Sequence, residues 1–258
     1  MIDKRLVAAS FGKAAASYDQ AARLQRLVGE TLLGMIPPEL VPHQLLDLGC
    51  GTGYFTRILA QRFPAAKTYG LDLSQGMLDY AARHSPEDIA WIGGDAEQLP
   101  LADASLDLVF SSLVIQWCPD LLQAFREMRR VVAPGGRVLF ATLAEDTLWE
   151  LREAWKQVDN FRHVNDFLPF TEICHRVESA GFDRVQIRQE QLVLEYAELR
   201  ELTGELKSLG AVNLNPDRPP GMTGRQRALA LRRAYEGFRN SHGRLPATWH
   251  LVWGSLEV

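Results

Sequence analysis

A short apolar run that ends in three alternating glycines constrains this chain more than any other feature. Leu45-Leu46-Asp47-Leu48 runs into Gly49-Cys50-Gly51-Thr52-Gly53, and Tyr54-Phe55 opens a helical pattern behind it. Strand, tight turn and helix in that order give the glycines a physical reason, because a side chain would stand where a ligand must meet the backbone. The surroundings repeat the same alternation. Leu45 to Leu48, Thr68 to Leu73, Ile89 to Ile92, Leu106 to Ser111 and Arg137 to Thr142 read as strands, with helices at Tyr54 to Arg62, Gln75 to Arg83 and Leu121 to Val132. The last helix is closed by Ala133-Pro134-Gly135-Gly136, a sharp stop. Such a pattern predicts an α/β, doubly wound sheet with helices on both faces. Arg184 to Glu195 and Thr248 to Leu256 add two strands, and Leu148 to Asn160 reads as a further helical stretch.

The spacing of the glycines separates two ligand classes. A dinucleotide fingerprint would place its third glycine at position 54, where this chain has Tyr54. A pyrophosphate rests on a helix N-terminus, whereas S-adenosylmethionine carries no phosphate and needs a tight turn with partners for its ammonium and carboxylate. Asp47 is placed to accept from the ammonium, with Gly49, Gly51 and Gly53 presenting the turn. Asp72, at the second strand's end, offers two side-by-side acceptors to the ribose hydroxyls, with Leu73 and Met77 beside it. Asp95 follows the third strand and can accept from the adenine amino group while the Ala96 N–H donates to a ring nitrogen. Ser111, Leu113, Gln116 and Trp117 lie where the sulfonium methyl would point, with Trp117 packing on adenine or walling the pocket. Three carboxylates at three successive strand ends, converging on one crevice, say more than a lone glycine turn.

Composition excludes several alternatives. The formal net charge of −4 gives no general drive toward nucleic acid, and no stretch approaches the roughly 20 apolar residues that span a bilayer. Cys50, Cys118 and Cys174 are far apart and outside any CxxC pair, so neither a disulfide framework nor a metal site is expected. A cytoplasmic protein follows as the expectation. From Arg218 to Arg244 the charge is concentrated instead: seven arginines stand against one acid, Glu236.

From Leu45 to Gly136 the chain resembles the class I S-adenosylmethionine-dependent methyltransferases, on the glycine turn, the strand-end acids, Gly93-Gly94-Asp95-Ala96-Glu97-Gln98-Leu99-Pro100 and the run into Pro134-Gly135-Gly136. Segments outside that core narrow the resemblance. Phe11 to Asp19, Ser112 to Trp117, Arg162 to Phe167, Ser208 to Asn213 and Met222 to Arg225 are similar to the malonyl-acyl carrier protein O-methyltransferases. The resemblance implies seven strands, mostly parallel with the last antiparallel, in one domain. It sets an N-terminal helical segment at 1–36, a core sheet at 44–195 and 246–258, and a helical insertion at 196–245. It also implies methylation of the free carboxylate of malonyl-acyl carrier protein, the first step toward pimeloyl and biotin synthesis. A carboxylate with a pKa of about 4 is already ionised at neutral pH, so no general base is needed. Tyr18 and His163 are then expected in the pocket, and Arg225 against malonyl or the phosphopantetheine arm. Arg218, Arg225, Arg227, Arg232 and Arg233 are expected to receive the acidic carrier protein. Two other readings stay open: a class I methyltransferase of another small carboxylate or a quinone precursor, and a non-catalytic S-adenosylmethionine-binding assembly factor. Nucleic-acid modification and dinucleotide oxidoreduction are disfavoured, the first by the lack of an Asn-Pro-Pro-Tyr type motif, the second by Tyr54.

Overall fold

A computed structural model describes residues 3–86, 88–211 and 224–258. Its strands are β1 (Gln44–Leu48), β2 (Lys67–Asp72), β3 (Ala90–Gly93), β4 (Leu106–Ser112), β5 (Val132–Leu143), β6 (Arg184–Tyr196) and β7 (Leu245–Glu257). They form one sheet in the order β3-β2-β1-β4-β5-β7-β6. β1 to β5 pair in parallel, and β7 runs antiparallel to both its neighbours. The strand order reverses between β1 and β4, and ligands of open α/β sheets lie beyond the strand ends at such a switch point.

β1 is buried at four of its five residues, as a central parallel strand covered on both faces must be. Leu45 packs into one core together with Leu24, Val28 and Leu32 of α2 (Arg23–Gly34), Leu59 of α3 (Tyr54–Arg62) and Leu151 of α6 (Trp149–Lys156). Leu46 and Leu48 pack into the other, with α5 (Leu121–Val131) and α7 (Phe170–Ala180). α5 illustrates the logic. Leu121, Ala124, Phe125, Met128 and Val131 make one buried stripe, Asp120 caps the first turn through Gln123 N–H, and Arg129 and Arg130 sit at the negative end of the dipole.

The remaining helices are α1 (Lys4–Ala21), α4 (Gln75–Arg83), α8 (Leu199–Ser208) and α9 (Arg225–Glu236). α1 lies along α4 and also touches α8. Three local expectations are corrected. Ala133 to Gly136 do not form a free stop but bulge out of β5: Leu106 pairs with Val132 while Leu108 pairs with Arg137, leaving residues 133–136 opposite Asp107 alone. The helix expected over 148–160 ends at Lys156. α7 was not anticipated, although Gly181, left-handed at φ 83°, marks its end in the sequence. Arg218 and the segment from Asn213 to Gly221 lie outside the described residues. Among the described residues no helix is long and apolar enough to cross a membrane.

Candidate active site

All three glycines of the turn have positive φ, 74° at Gly49, 53° at Gly51 and 75° at Gly53. The reasons differ. A Cβ on Gly49 would lie 2.1 Å from the Val114 side chain, and one on Gly53 2.6 Å from Trp91, so both positions are closed by packing. A Cβ on Gly51 would meet nothing within 4 Å. That open space faces the crevice, where a ligand can approach the backbone. The turn is tied down by Gly49 N–H and Cys50 N–H donating to the Leu71 carbonyl at 2.7 and 3.0 Å.

The acids are arranged around it. Asp72 accepts from Gly51 N–H at 2.9 Å and Ser74 N–H at 2.7 Å, so its carboxylate is fixed at the mouth of the turn. Burial raises its pKa, and the backbone N–H bonds of Ser74, Gly51 and Leu73 pull against that rise. Asp47 is more isolated. It is 3% exposed, accepts from Thr56 Oγ1 at 2.6 Å, and has no cationic partner among the described residues. Burial therefore pushes its pKa up to about 7, the Thr56 hydrogen bond opposing. An anion buried without a partner costs free energy unless a cation arrives, and the ammonium of an amino acid answers that need. Asp95 is already engaged: Lys4 Nζ, from α1, donates to both its oxygens at 2.8 and 2.7 Å and to Glu97 at 2.6 Å.

Three cavities meet here. A cleft of about 770 Å³ is lined by Gly49, Gly51, Asp72, Leu73, Met77, Asp95 and Ala96 on the sheet side. Its cover is one stripe of α1, Lys4, Val7, Ala8, Phe11 and Tyr18, at helical spacing. A turn pocket of about 480 Å³ holds Asp47, Gly49, Gly51 and Thr52 against Asp19, Gln25 and Arg26. A side cavity of about 700 Å³ is largely apolar, with Leu24, Leu143, Leu148, Leu151 and Phe167 in its wall. Tyr18 alone among the described residues lines all three. Its burial, with the Asp72 and Asp19 charges nearby, raises the phenol pKa well above its ordinary value. At any working pH it is a neutral O–H donor at the junction.

Other expected residues fall elsewhere. Gln116 lines the side cavity rather than the cleft, its amide bonded to the Leu113 carbonyl and its oxygen to Thr142 Oγ1. Ser111 is fully buried and lines none of the three; its neighbour Ser112 lines the cleft and the turn pocket. Gly53 lines none either. His163 lines the side cavity, stacked on Trp155 with ring centroids 3.5 Å apart and bonded through Nε2 to Asp159 at 2.8 Å. Asp159 also receives Arg227 at 2.6 Å. Burial opposes ionisation of Asp159, but the hydrogen bonds of His163 and Phe161 N–H and the His163 and Arg227 charges hold its pKa below the usual range. Arg227 is thus paired with Asp159, with 34% of its side chain still exposed. Arg225, Arg232 and Arg233 are exposed on α9, and Arg225 lines none of the three cavities. Lys4, Gln25 and Ser112 were missed. Lys4, Phe11 and Tyr18 are spaced by seven residues, the one signal that would have placed Lys4 on the covering face.

The sheet order, the glycine turn and the cleft beyond β1 and β4 define a class I methyltransferase. The methyltransferase-domain family matches residues 46–140. Among solved structures, the YcgJ protein from Bacillus subtilis superimposes with a TM-score of 0.61 at 19% identity, covering 90% of this chain and 97% of that one. The malonyl-[acyl-carrier protein] O-methyltransferase of Serratia marcescens is 46% identical over 258 residues, 99% of this chain and 96% of that protein. The biotin biosynthesis bifunctional protein BioHC of Cellvibrio japonicus is 48% identical over 252 residues, 98% of this chain; the chain spans half the length of that bifunctional relative. The chain belongs to the malonyl-[acyl-carrier protein] O-methyltransferase family.

Proposed function

We propose that this chain transfers a methyl group from S-adenosylmethionine to the free carboxylate of malonyl-acyl carrier protein, giving the methyl ester that opens pimeloyl and biotin synthesis. The observation that carries this reading is the near end-to-end similarity to the Serratia marcescens enzyme, which includes the helices outside the sheet. The geometry supports it. The cleft suits the adenosine, with Asp72 on the ribose. The turn pocket suits the methionyl group, with the buried Asp47 receiving its ammonium, and the apolar side cavity suits the acyl end.

Held by Asp47, Asp72 and the glycine turn, S-adenosylmethionine would supply a methyl on a positively charged sulfur to the carboxylate oxygen, the sulfur keeping the electron pair of the S–CH3 bond. The chain's own work is alignment and exclusion of water. Tyr18 O–H, at the junction of the cavities, holds one carboxylate oxygen. α1 covers the cleft, and His163, braced by Trp155 and Asp159, walls the side cavity as a positioning residue. Masking the malonyl charge matters physically, since carrying an unpaired carboxylate into an apolar elongation channel costs several kcal/mol.

The exposed arginines of α9, Arg225, Arg232 and Arg233, form the face that we assign to the acidic carrier protein; Arg218 belongs to the same run of sequence. The test is direct. Purified protein, S-adenosylmethionine and malonyl-carrier protein are incubated and the intact carrier is weighed; a gain of one methyl is expected. Methylation of free small acids with no gain on the carrier would reject the reading.

A further inference from the structure

Three buried polar groups beside the junction have no partner among the described residues, the side-chain oxygen of Gln25, the hydroxyl of Ser112 and the indole nitrogen of Trp249, and the first and last of these line the side cavity. Gln25 stands on α2 and, with Tyr18, is one of only two described residues that line both the turn pocket and the side cavity. Trp249, on β7, is 5% exposed and lines the side cavity alone. A buried polar atom without a partner costs free energy, and at a cavity wall a ligand is what repays it. No lysine or arginine lines the side cavity among the described residues. His163 there is engaged by Asp159 through Nε2, which leaves neutral side chains as the donors for an anionic acyl end.

Resting on the function proposed above, we infer that Gln25 and Trp249 bind the malonyl head. The Gln25 oxygen accepts from the methionyl ammonium in the turn pocket, while its amide N–H donates across to the malonyl carboxylate. The Trp249 indole N–H donates deeper in the side cavity, to the thioester carbonyl. One side chain then bridges the two substrates at the point where the methyl passes. The choice of neutral groups has a chemical consequence. A lysine or arginine paired with the carboxylate would hold back the electron pair that must attack, and would be left as a buried, unpaired cation once the neutral ester formed. Amide and phenol donors orient the carboxylate, the indole holds the thioester carbonyl, and the ester is released without stranding a charge.

Gln25→Glu separates this from a framework role. It keeps an acceptor for the ammonium but sets a second anion against the malonyl carboxylate. Cofactor affinity, by calorimetry on the full protein, is expected within about threefold of wild type or tighter, while kcat/KM for malonyl-carrier protein falls by about 100-fold. Gln25→Met, similar in shape but without the amide, should lower both affinities by about tenfold. Trp249→Phe should raise KM for the carrier substrate about tenfold with kcat nearly unchanged. Wild-type kcat/KM in folded Gln25→Glu and Trp249→Phe proteins overturns the inference. So does a joint loss of cofactor binding and turnover in Gln25→Glu, which would make the residue part of the framework. A wild-type protein that does not methylate malonyl-carrier protein overturns the underlying reading instead, and that arm is run first.

Discussion

Asp47 concentrates the electrostatics of the site in one carboxyl. Burial lifts its pKa to about 7 in the folded protein, against 3.8 for the free side chain. The folded state thus binds this proton more tightly than the unfolded chain. The stability it contributes is present at low pH and is lost as pH rises toward and through about 7. Binding of an ammonium needs the opposite, ionised form. Cofactor affinity should therefore rise about tenfold per pH unit from pH 5 to about 7 and level off above, and Asp72, shifted upward by burial as well, adds slope of the same sign. Calorimetry across that range checks it; a flat profile would mean that Asp47 does not meet the ammonium. Asp47→Asn gives the complementary result. The free protein at pH 8 should melt a few degrees higher, since a buried charge is gone, while cofactor affinity falls about 100-fold.

At the scale of elements, the cover of the cleft is held by close contact rather than by covalent or metal links. Gly12 of α1 lies against Gly76 of α4, where a Cβ on Gly76 would sit 2.9 Å from the Gly12 Cα. Backbone cannot yield as a side-chain tip can. Gly76→Ala should therefore prise α1 from α4, lower the melting temperature by several degrees through about 1–3 kcal/mol of overpacking, and weaken cofactor binding about tenfold. A variant that melts lower but binds normally would show that α1 does not close the cleft. Around this cover Ser74 Oγ donates to the Ala8 carbonyl at 2.8 Å, Ser10 Oγ to the Gly210 carbonyl at 2.8 Å, and Thr52 Oγ1 to Asp19 at 2.7 Å. The contrast with the sheet explains what was legible in the sequence. β1, β4 and β5 and helices α3 and α4 could be read because a central parallel strand is a largely apolar run and each helix starts at a turn signal. The strand-end acids could be read because the topology puts every strand end on one edge. Gln25, Ser112 and Trp249 could not, because their relevance comes from which elements close over one another, and no spacing along the chain encodes that. Ser111 and Ser112 part for a related reason: successive strand residues face opposite sides, so a one-residue shift exchanges cleft for core.

For the whole molecule, charge is distributed unevenly and the distribution bears on how the carrier protein arrives. The chain carries −4 overall, yet the six described arginines between 225 and 244 do not act as one patch. Arg227 is spent on Asp159, Arg239 on Glu236, and Arg244 on the Glu195 carbonyl. Of the described ones this leaves Arg225, Arg232 and Arg233 exposed on α9, a helix joined to the site through the Arg227–Asp159–His163 chain. Exposed charges of this kind steer an acidic partner and act over about a Debye length, roughly 10 Å at 0.1 M salt and 3 Å at 1 M. Reversal of two of them, Arg232→Glu with Arg233→Glu, should lower kcat/KM for malonyl-carrier protein about tenfold at low salt, through KM rather than kcat. The difference from wild type should close as salt approaches 1 M, because screening removes from both proteins the attraction that only one still has. Steady-state rates measured over a salt series decide it: a deficit that persists unchanged at high salt would mean that these arginines support the packing of α9 and not the approach of the carrier.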